Sequence, residues 1–505
     1  MIESRHVRLI DLFVGLEVDR VVGDSATEIS SLSYRSDRSW GGCLFFCVPG
    51  FVRDGHDFAQ DAVARGASAL CVERQLDIAL PQVVVPSVRR AMGPVASLFF
   101  GDPSAHLLAA GITGTNGKTT SAYLGAHLLD HAGLRSGLMG TVERRIGGRA
   151  LPAGRTTPEA LDIQTDLAGM VEAGDRAVVM EVSSHALDLG RVLGTTFKAV
   201  AFTNLTQDHL DYHQTLDAYF SAKSRLFFDS DFAHARPVAV INVDDPFGRR
   251  LARLYPDERL ISFSCSRTSE WGEPYLEMRD YDMDALGTRG SLIVRGPGEV
   301  VVRDVHTLLV GAFNVANTLT ALGIGLALGL DIDSMLVGLS SFRGVPGRME
   351  RVDEGQQFGV LVDYAHTPDS VSNVLATARG FTKGRIIGVL GCGGNRDRGK
   401  RPKMGRELES RADVVIITSD NPRTEDPEAI IADMLAGLAS PADALVEPDR
   451  RRAIEKAVEM AAPGDVVMIL GKGHESGQEF ADKTVPFDDR DVARHAIHQL
   501  PEKRG

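Results

Sequence analysis

The chain has 505 residues, of which 43% are hydrophobic and 24% are charged, and it contains 52 glycines. This length and composition predict a globular protein of about three domains and exclude a disordered or fibrous chain. The net charge of −13 argues against general nucleic-acid binding, since no basic tract is present that could neutralise a phosphate backbone.

The N-terminus and the cysteines predict the cellular compartment. The segment MIESRHVRLIDLF lacks the features of a signal peptide, and no apolar run approaches the ~20 residues that span a bilayer. Five scattered cysteines are typical of a reducing compartment, so we expect a cytoplasmic protein without membrane insertion. Cys43 and Cys47 could form half of a zinc site, but no second pair or nearby histidine completes it, and the apolar neighbours favour a buried strand.

Residues 1–104 predict a small α/β domain at the N-terminus. Apolar runs at 42–48 and 69–72 are typical of strands, and 58–66 is typical of a helix. The turn-rich segment Gly-Asp-Pro-Ser at 101–104 ends this domain.

Residues 105–345 predict a central domain built on a mostly parallel sheet. Its β-branched or apolar runs, separated by helical intervals, lie at 108–113, 177–182, 199–203 and 238–243. Strands that alternate with helices are typical of parallel α/β sheets. We predict that the charged stretch at 271–298 is a solvated insertion or a strand-rich loop.

Residues 346–505 predict a third domain with a Rossmann-like sheet, which begins after the glycine-proline break at 343–347. Its strand-like runs lie at 360–362, 386–390, 414–418 and 466–470, and they end at Asp363, Gly391, Ser419-Asp420 and Gly471. Ligands of such sheets bind at the carboxyl ends of the strands, so we predict a binding site at this edge.

A phosphate-binding loop is predicted by GITGTNGKTT at 111–120, which follows a strand and opens a helix. Gly114 and Gly117 let backbone N–H groups turn toward phosphate oxygens, Lys118 supplies a positive charge and Thr119 can hold Mg²⁺. The usual pattern has glycine where Ile112 stands, and a glycine-rich turn without a ligand is the alternative. The predicted nucleotide contacts are Gly114, Thr115, Asn116, Gly117, Lys118, Thr119 and Thr120.

Three further features carry possible chemistry. Glu181 ends a strand and could bind Mg²⁺ or be an ordinary strand-end carboxylate. The stretch TNLTQDHLDYH at 203–213 holds two histidines and two aspartates, which indicate a site or, for Asp208 and Asp211, a capped helix start. Lys223 lies among small and apolar residues, although a lysine considered alone is usually exposed.

The order of these motifs resembles that of the Mur ligase family, the ATP-dependent amino-acid ligases of peptidoglycan synthesis, and most closely the branch that adds the third residue of the stem peptide. The resemblance extends from about residue 30 to residue 490. The shared motifs are GITGTNGKTT, RTTPEALD, MEVSSHALDLGRV, TNLTQDHLDYH, YFSAKSRLF, GAFNVAN, VPGRMERV, DYAHTPDS, GCGGNRDRGKRPKMG, SDNPRTEDP and GKGHE.

The resemblance implies that ATP and Mg²⁺ are bound. It assigns catalysis to Lys118, Glu181, His209 and Lys223, and metal binding to Thr119, Glu181, His209 and Lys223, with Lys223 carbamylated by CO₂. A carbamate would turn a cation that repels Mg²⁺ into an anion that ligates it. The resemblance also implies that Asn314, Arg348 and Asp363, with His366, hold the adenine, ribose and phosphates.

The resemblance further implies two substrates, UDP-N-acetylmuramoyl-L-alanyl-D-glutamate and meso-diaminopimelate. The first domain would bind the UDP-sugar through Ser33 and Ser36, although Arg35 and Asp37 stand where many relatives have aspartate and arginine, respectively. The residues matched to the muramoyl dipeptide are Thr156, Thr157, Ser183 and Arg191. Those matched to the incoming amino acid are Arg396, Asp420, Asn421, Pro422, Arg423, Gly471 and Glu475.

Arg423 is the basis for predicting diaminopimelate as the added amino acid. Its guanidinium can bind the extra carboxylate that lysine lacks, with Glu475 balancing the distal ammonium. The alternative is that Arg423 pairs with the acids at 424–426. The rival functions are a lysine-adding or folylpolyglutamate-type ligase and a non-catalytic nucleotide-binding scaffold. We expect a monomeric ligase that forms an acyl-phosphate intermediate.

Overall fold

The computed structural model describes residues 6–50, 52–206, 208–229, 236–265, 275–284, 287–296 and 298–500. The chain forms two compact units. The first comprises Met1–Glu277, Val294–Val300 and Ala316–Gly338, and the second comprises Met278–Ile293, Val301–Val315 and Leu339–Gly505. The predicted α/β class is confirmed, whereas the domain boundaries at 104 and 345 stay predictions. Among the described residues, no helix is both long and apolar enough to cross a membrane.

The N-terminal part of the first unit contains a five-stranded sheet in the order β2-β7-β6-β5-β4. Strands β4 to β7 are parallel and β2 is antiparallel. The predicted strands at 42–48 and 69–72 correspond to β5 and β6, and Cys43 and Cys47 are buried there. The elements are β1 Val7–Arg8, β2 Arg20–Val22, β3 Glu28–Ile29, β4 Ser31–Ser33, β5 Cys43–Phe46, α1 Ala59–Ala64, β6 Ala67–Val72, β7 Gln82–Val84 and α2 Val88–Phe100.

The same unit contains eight strands in the order β11-β10-β9-β12-β8-β13-β14-β15, in which only β10 runs antiparallel to the others. All four predicted strands are present. The elements are β8 Leu108–Thr113, α3 Lys118–His131, β9 Ser136–Met139, β10 Glu143–Ile146, β11 Arg149–Pro152, α4 Ala160–Ala173, β12 Ala177–Glu181, α5 Ser184–Asp188, β13 Ala199–Phe202, α6 Leu210–His213, α7 Leu216–Phe228, β14 Val238–Asn242, α8 Pro246–Ala252 and β15 Leu260–Ser264.

The register of this sheet positions the phosphate loop. Glu181 pairs with Ile112 across β12 and β8, and Phe202 pairs with Thr113 across β13 and β8. Side chains on these strands, such as Val178, are fully buried, as expected for a parallel sheet covered on both faces. The carboxyl ends of β12 and β13 therefore flank the start of the loop.

Three strands and two helices follow. The insertion predicted at 271–298 is rich in strands, although 271–274, 285–286 and 297 lie outside the described residues. The elements are β16 Leu276–Asp284, β17 Gly287–Gly296, β18 Glu299–Thr307, α9 Ala312–Ala327 and α10 Ile332–Ser341.

The second unit contains a six-stranded sheet in the order β19-β20-β24-β21-β22-β23, parallel except for β19. Val360 and Val362 pack on one face and Leu361 on the other, so apolar side chains cover both sides. The elements are β19 Glu350–Arg351, β20 Gly359–Asp363, α11 Pro368–Phe381, β21 Ile386–Cys392, α12 Arg401–Glu409, β22 Val414–Ser419, α13 Pro427–Leu435, β23 Leu445–Val446, α14 Arg450–Met460, β24 Val466–Leu470, β25 Gly477–Glu479, β26 Thr484–Pro486 and α15 Asp489–His498.

Candidate active site

The phosphate loop turns sharply at its two predicted glycines. Gly114 has φ +149° and Gly117 has φ +86°, and a Cβ on Gly114 would lie 1.9 Å from Oγ1 of Thr203. These positions therefore require glycine. The Lys118 ammonium donates to the carbonyls of Gly114 and Thr115, both at 2.9 Å, which folds its side chain back over the loop. Helix α3 begins at Lys118, so its free N–H groups and positive dipole end lie at the loop, as an anion site requires.

The remaining predicted loop residues are partly accessible. The backbone N–H of Asn116 donates to Oδ1 of Asn204 at 2.9 Å, and the Asn116 side chain is exposed. Thr115 donates to the carbonyl of Thr206 at 3.3 Å, whereas Thr120 is half-buried on α3. The polar segment after β13 therefore holds the loop in place.

Glu181 is the centre of this region. Its side chain is buried, and its Oε2 accepts from the Thr119 hydroxyl at 2.9 Å. Thr141 donates its backbone N–H to Oε1 at 2.8 Å and its hydroxyl to Oε2 at 3.2 Å. A hydroxyl and a carboxylate beside a phosphate loop are the oxygen donors that Mg²⁺ prefers, so these residues fit the predicted ion.

Lys223 is a buried lysine beside the same loop. It is 1% exposed, its Nζ donates to the carbonyl of Gly114 at 2.7 Å, and it lies 4.4 Å from the ring centre of Tyr219. Burial, and next the positive charge of Lys118, hold the pKa of Lys223 well below its usual value. The ordinary expectation of an exposed lysine is therefore wrong here.

His209 and Lys223 both lie near the ring of Tyr219. The ring centres of His209 and Tyr219 are 6.2 Å apart, and those of His209 and His185 are 4.8 Å apart. Its Nε2 lies 3.4 Å from Oδ2 of Asp208, and the side chain is about half exposed. In the described part of the chain, no group of three or more His, Cys, Asp or Glu could hold a metal. The predicted metal set contains only two residues of these types, so it depends on hydroxyl and carbamate oxygens as well.

The residues predicted to hold the muramoyl dipeptide adjoin Glu181. The Thr157 hydroxyl donates to the carbonyl of Glu181 at 2.9 Å, and the Thr156 hydroxyl lies 3.1 Å from that of Thr141. Ser183 accepts from Thr157 at 3.4 Å and caps α5. These side chains are therefore linked to Glu181, whose carboxylate also accepts from the phosphate loop.

Arg191 is joined to this group by a hydrogen bond and also forms an ion pair with Glu159. It donates from Nη1 to the carbonyl of Thr157 at 3.2 Å, and its Nη2 lies 2.9 Å from Oε1 of Glu159. Arg155 and Arg89 lie 2.6 and 3.5 Å from the same carboxylate. Burial is the main cause that lowers the pKa of Arg191, with the Arg155 and Arg89 charges acting in the same direction. Three guanidiniums around one carboxylate leave excess positive charge, which suits an anionic ligand.

The predicted UDP-sugar residues form a tight turn. The Ser33 hydroxyl is buried and bonds to the backbone of Arg35, donating to its carbonyl at 2.8 Å. Ser36 is half-buried. Arg35 binds both carboxylate oxygens of Asp37, at 3.0 and 2.8 Å. The two exchanged residues therefore pair with each other.

The nucleotide residues predicted in the second unit are largely buried. Asn314 donates to the carbonyl of Val310 at 2.7 Å, and Asp363 accepts from the backbone N–H of Met349 at 2.7 Å. Burial raises the pKa of Asp363 to about 6. Among the described residues, Nε of Arg348 is buried without a hydrogen-bond partner. This N–H group could therefore donate a hydrogen bond to a phosphate or ribose oxygen.

The predicted amino-acid pocket lies at the carboxyl ends of β22 and β24. Asn421 donates from Nδ2 to Oε2 of Glu475 at 2.7 Å. Lys472 is fully buried, and its ammonium donates to Oδ1 of Asn421 at 2.9 Å and to Oε2 of Glu475 at 3.0 Å. A Cβ on Gly471, which has φ +115°, would lie 2.6 Å from Oδ2 of Asp420. Glycine is therefore needed beside this carboxylate.

Other members of the predicted pocket have different environments. Asp420 is buried, and burial raises its pKa. Arg396 is exposed and donates to the carbonyl of Asn395 at 3.3 Å. Pro422 is buried, and its carbonyl accepts from the N–H of Glu425 at 3.1 Å.

Arg423 forms an ion pair that the sequence did not indicate. Its Nε lies 2.7 Å from Oε2 of Glu479, and its Nη1 donates to the carbonyl of Gly394 at 2.9 Å. The alternative in which Arg423 pairs with the acids at 424–426 is therefore wrong. Glu425 pairs instead with Arg401 and Arg398.

Comparison with known proteins identifies the family. The chain matches the Mur ligase middle domain at residues 112–325, the Mur ligase glutamate ligase domain at 347–473 and the Mur ligase family catalytic domain at 28–98. The chain belongs to the Mur ligase family. Within the family it is 46% identical over 490 residues to the UDP-N-acetylmuramoyl-L-alanyl-D-glutamate--2,6-diaminopimelate ligase of Thermosynechococcus vestitus, with 95% of each chain covered.

Two further proteins of the same name are also similar to this chain. The ligase of the same name from Geobacillus thermodenitrificans is 45% identical over 476 residues, covering 94% of this chain and 95% of the relative. A solved structure of a ligase with this name superposes with a TM-score of 0.74 at 33% identity, covering 98% of this chain and 99% of the other. The match therefore extends over nearly the whole length of each protein.

Four residues of the site were not predicted from the sequence: Thr141, Glu159, Lys472 and Glu479. Thr141 follows β9, and a small polar residue after a strand was the available signal. Glu159 and Lys472 stand inside the motifs RTTPEALD and GKGHE, whose other members were assigned roles. Glu479 lies outside every motif, so nothing in the sequence pattern marked it.

Proposed function

We propose that this chain is an ATP-dependent ligase that adds meso-diaminopimelate to UDP-N-acetylmuramoyl-L-alanyl-D-glutamate. One observation carries the proposal most directly. Glu181 accepts from Thr119 of the phosphate loop through its carboxylate and from Thr157 through its carbonyl. A nucleotide phosphate and an acceptor peptide held by these residues would be neighbours. The relatives that carry the name of this reaction match the chain almost end to end.

The reaction follows from the chemistry of an unactivated carboxylate. The D-glutamyl carboxylate attacks the γ-phosphorus of ATP, which forms an acyl phosphate and releases ADP. The amine of diaminopimelate then attacks the acyl carbon, and the amide forms as inorganic phosphate leaves and the amine loses a proton. Lys118 stabilises the negative charge on the transferring phosphoryl group. The motifs supply no covalent nucleophile on the protein, and the reaction needs none.

Thr119, Glu181, His209 and carbamylated Lys223 would hold Mg²⁺. Held there, the ion would supply positive charge to neutralise the phosphate oxygens during the transfer. The low pKa of Lys223 supports the carbamate, because a neutral amine can attack CO₂ and release a proton. The product is an anion beside the phosphate loop, where an ammonium would repel a metal ion.

The second unit would supply the other substrate contacts. Asn314, Arg348 and Asp363 would hold the nucleotide, and the buried Nε of Arg348 supports its part. The pocket around Asn421 and Glu475 would hold the amino acid, with Arg423 binding its distal carboxylate. Ser33 and Ser36 would contact the UDP-sugar.

We also propose the three-domain division at residues 104 and 345, with the first domain binding the UDP-sugar, the central domain ATP and the third the amino acid. The substrates are a nucleotide-activated sugar and ATP, which supports a cytoplasmic location, and we propose a monomer as the working form. Sedimentation of the purified protein tests the monomer, since a mass near 54.4 kDa is expected.

The proposal is tested by measuring Mg²⁺-dependent phosphate release with ATP and the UDP-linked dipeptide, with either meso-diaminopimelate or L-lysine as the amino acid. Mass spectrometry of the products identifies which amino acid has been added. Turnover with diaminopimelate and a product heavier by that residue supports the reaction. Equal or better turnover with lysine keeps the ligase but refutes the role given to Arg423. No turnover with either amino acid refutes the proposed function. Lys118→Met serves as the inactive control.

A further inference from the structure

The pocket residue Arg423 is already bound to a carboxylate of the protein. Its backbone N–H donates to the carbonyl of Glu479 at 3.0 Å, and the Glu479 N–H donates to Oδ1 of Asn421 at 3.0 Å. Strand β25 is thus fixed against the loop that carries both pocket residues. This backbone arrangement places the Glu479 carboxylate 2.7 Å from Nε of Arg423.

We propose that Glu479 is a specificity-determining residue that acts through Arg423, as an internal carboxylate competing with the distal carboxylate of the incoming amino acid. The inference rests on the proposed function, because it takes Arg423 as the group that binds this carboxylate. Two of the five guanidinium N–H groups are bonded within the protein, to Glu479 and to Gly394. The others can still bind a ligand, but Glu479 neutralises part of the charge that attracts it.

This pairing changes how the pocket distinguishes two amino acids. A site rejects an analogue that lacks a polar group mainly because its own partner group is left unpaired. When lysine binds, Arg423 is not left unpaired, because Glu479 remains on it. When diaminopimelate binds, its carboxylate approaches a second negative charge. Glu479 therefore weakens the binding of diaminopimelate and reduces the cost of binding lysine. The difference in affinity between the two amino acids becomes smaller.

The size of the effect follows from exposure. The side chains of Arg423 and Glu479 are 25% and 48% exposed, so solvent screens their interaction. Pairs of this kind have modest energies, and we expect Glu479→Gln to lower KM for diaminopimelate by about twofold to fivefold. KM for ATP and for the UDP-linked dipeptide should not change, and kcat should stay within about twofold. Selectivity for diaminopimelate over lysine should rise by at least the same factor, because lysine would then leave Arg423 without the Glu479 carboxylate.

The experiment compares the full-length wild type with Glu479→Gln and Glu479→Ala. It measures kcat and KM for each substrate, together with the inhibition constant of L-lysine against diaminopimelate. Glu459→Gln, at an exposed position on α14, is the control for an equal change of charge. A fall in KM for diaminopimelate in both Glu479 variants, but not in the control, supports the proposal.

An unchanged KM for diaminopimelate, or a rise in either Glu479 variant, overturns the proposal, since a rise means that Glu479 orients Arg423 for binding. If KM for diaminopimelate also falls in the Glu459→Gln control, the effect is due to net charge, and the proposal is overturned. Failure of the proposed function is seen separately, because the wild type would then show no turnover with diaminopimelate.

Discussion

Replacing Lys223 with methionine separates the role of this lysine in catalysis from its role in folding. Lys223→Met keeps most of the side-chain volume but removes the nitrogen that would carry a carbamate. The hydrogen bond to Gly114 at 2.7 Å is lost, which costs about 1–3 kcal/mol. Removing a polar nitrogen from this buried site offsets the loss by a similar amount, about 1–3 kcal/mol. We therefore expect the free energy of unfolding to change by less than about 2 kcal/mol.

The effect on catalysis should be much larger. A preorganised charged group beside a transferring phosphoryl group contributes about 3–4 kcal/mol, so kcat should fall by about 10²- to 10³-fold. Phosphate release at saturating substrates measures kcat, and thermal unfolding measures stability. Lys198→Met, at an exposed position of the same unit, is the matched control and should retain full activity.

Two further measurements identify the carbamate itself. Lys223→Ala should regain part of its activity when acetate or formate is added, because a short carboxylate can occupy the space of the carbamate. The wild type should lose activity in CO₂-free buffer and regain it with bicarbonate. If Lys223→Met keeps more than about a tenth of the wild-type kcat, the charge argument is refuted. If neither carboxylate nor bicarbonate has an effect, Lys223 acts without modification.

Three other substitutions test separate parts of the site and fold. Glu181→Gln should reduce kcat by about 10²- to 10³-fold with little change in thermal stability, and a loss below about tenfold contradicts its metal role. Because the raised pKa of Asp363 is about 6, its carboxylate becomes protonated as pH falls from 8 to 5.5, so KM for ATP should rise over that range. Asp363→Asn should abolish this pH dependence, and a persisting profile assigns it to another group. Arg450→Met leaves the buried Asp489 unpaired and should lower the free energy of unfolding, measured by chemical denaturation, by about 3–5 kcal/mol. The double variant with Asp489→Leu should regain most of this stability. If it regains none, the unpaired charge is not the cause of the loss.

The strands could be predicted from the sequence where an apolar run has clear ends. The run at 466–470 has the same bounds as β24, and the run at 177–182 differs from β12 by one residue. Both are continuous stretches of buried residues closed by polar residues or glycine, which is typical of parallel sheets. The hairpin of β10 and β11 was not predicted, because its strands contain Arg144, Arg145 and Arg149 and lack apolar alternation. Ladder bonds and the pair between Arg144 and Asp166 hold it instead.

The site residues could likewise be predicted where they form a contiguous motif, but not where their contacts join distant parts of the sequence. The phosphate loop is a contiguous motif whose glycines are needed for backbone geometry, so its residues could be identified from ten letters of sequence. The partners of Glu181 are 24 to 62 residues away, and the partner of Arg423 is 56 residues away. Such contacts depend on strand register and loop path. Sequence spacing alone could not supply them.

The exchange of Arg35 and Asp37 is a case in which a change in sequence order does not disturb the local structure. The sequence departs here from the order found in many relatives, which put the local geometry in doubt. The structure joins the two side chains to each other, and an ion pair between residues two positions apart can form with the charges in either order. Both side chains are about half exposed, so solvent screens the pair and it adds little to stability in either order. The exchange therefore leaves the turn intact while it moves the positive charge, and its effect should be sought in UDP-sugar binding and not in folding.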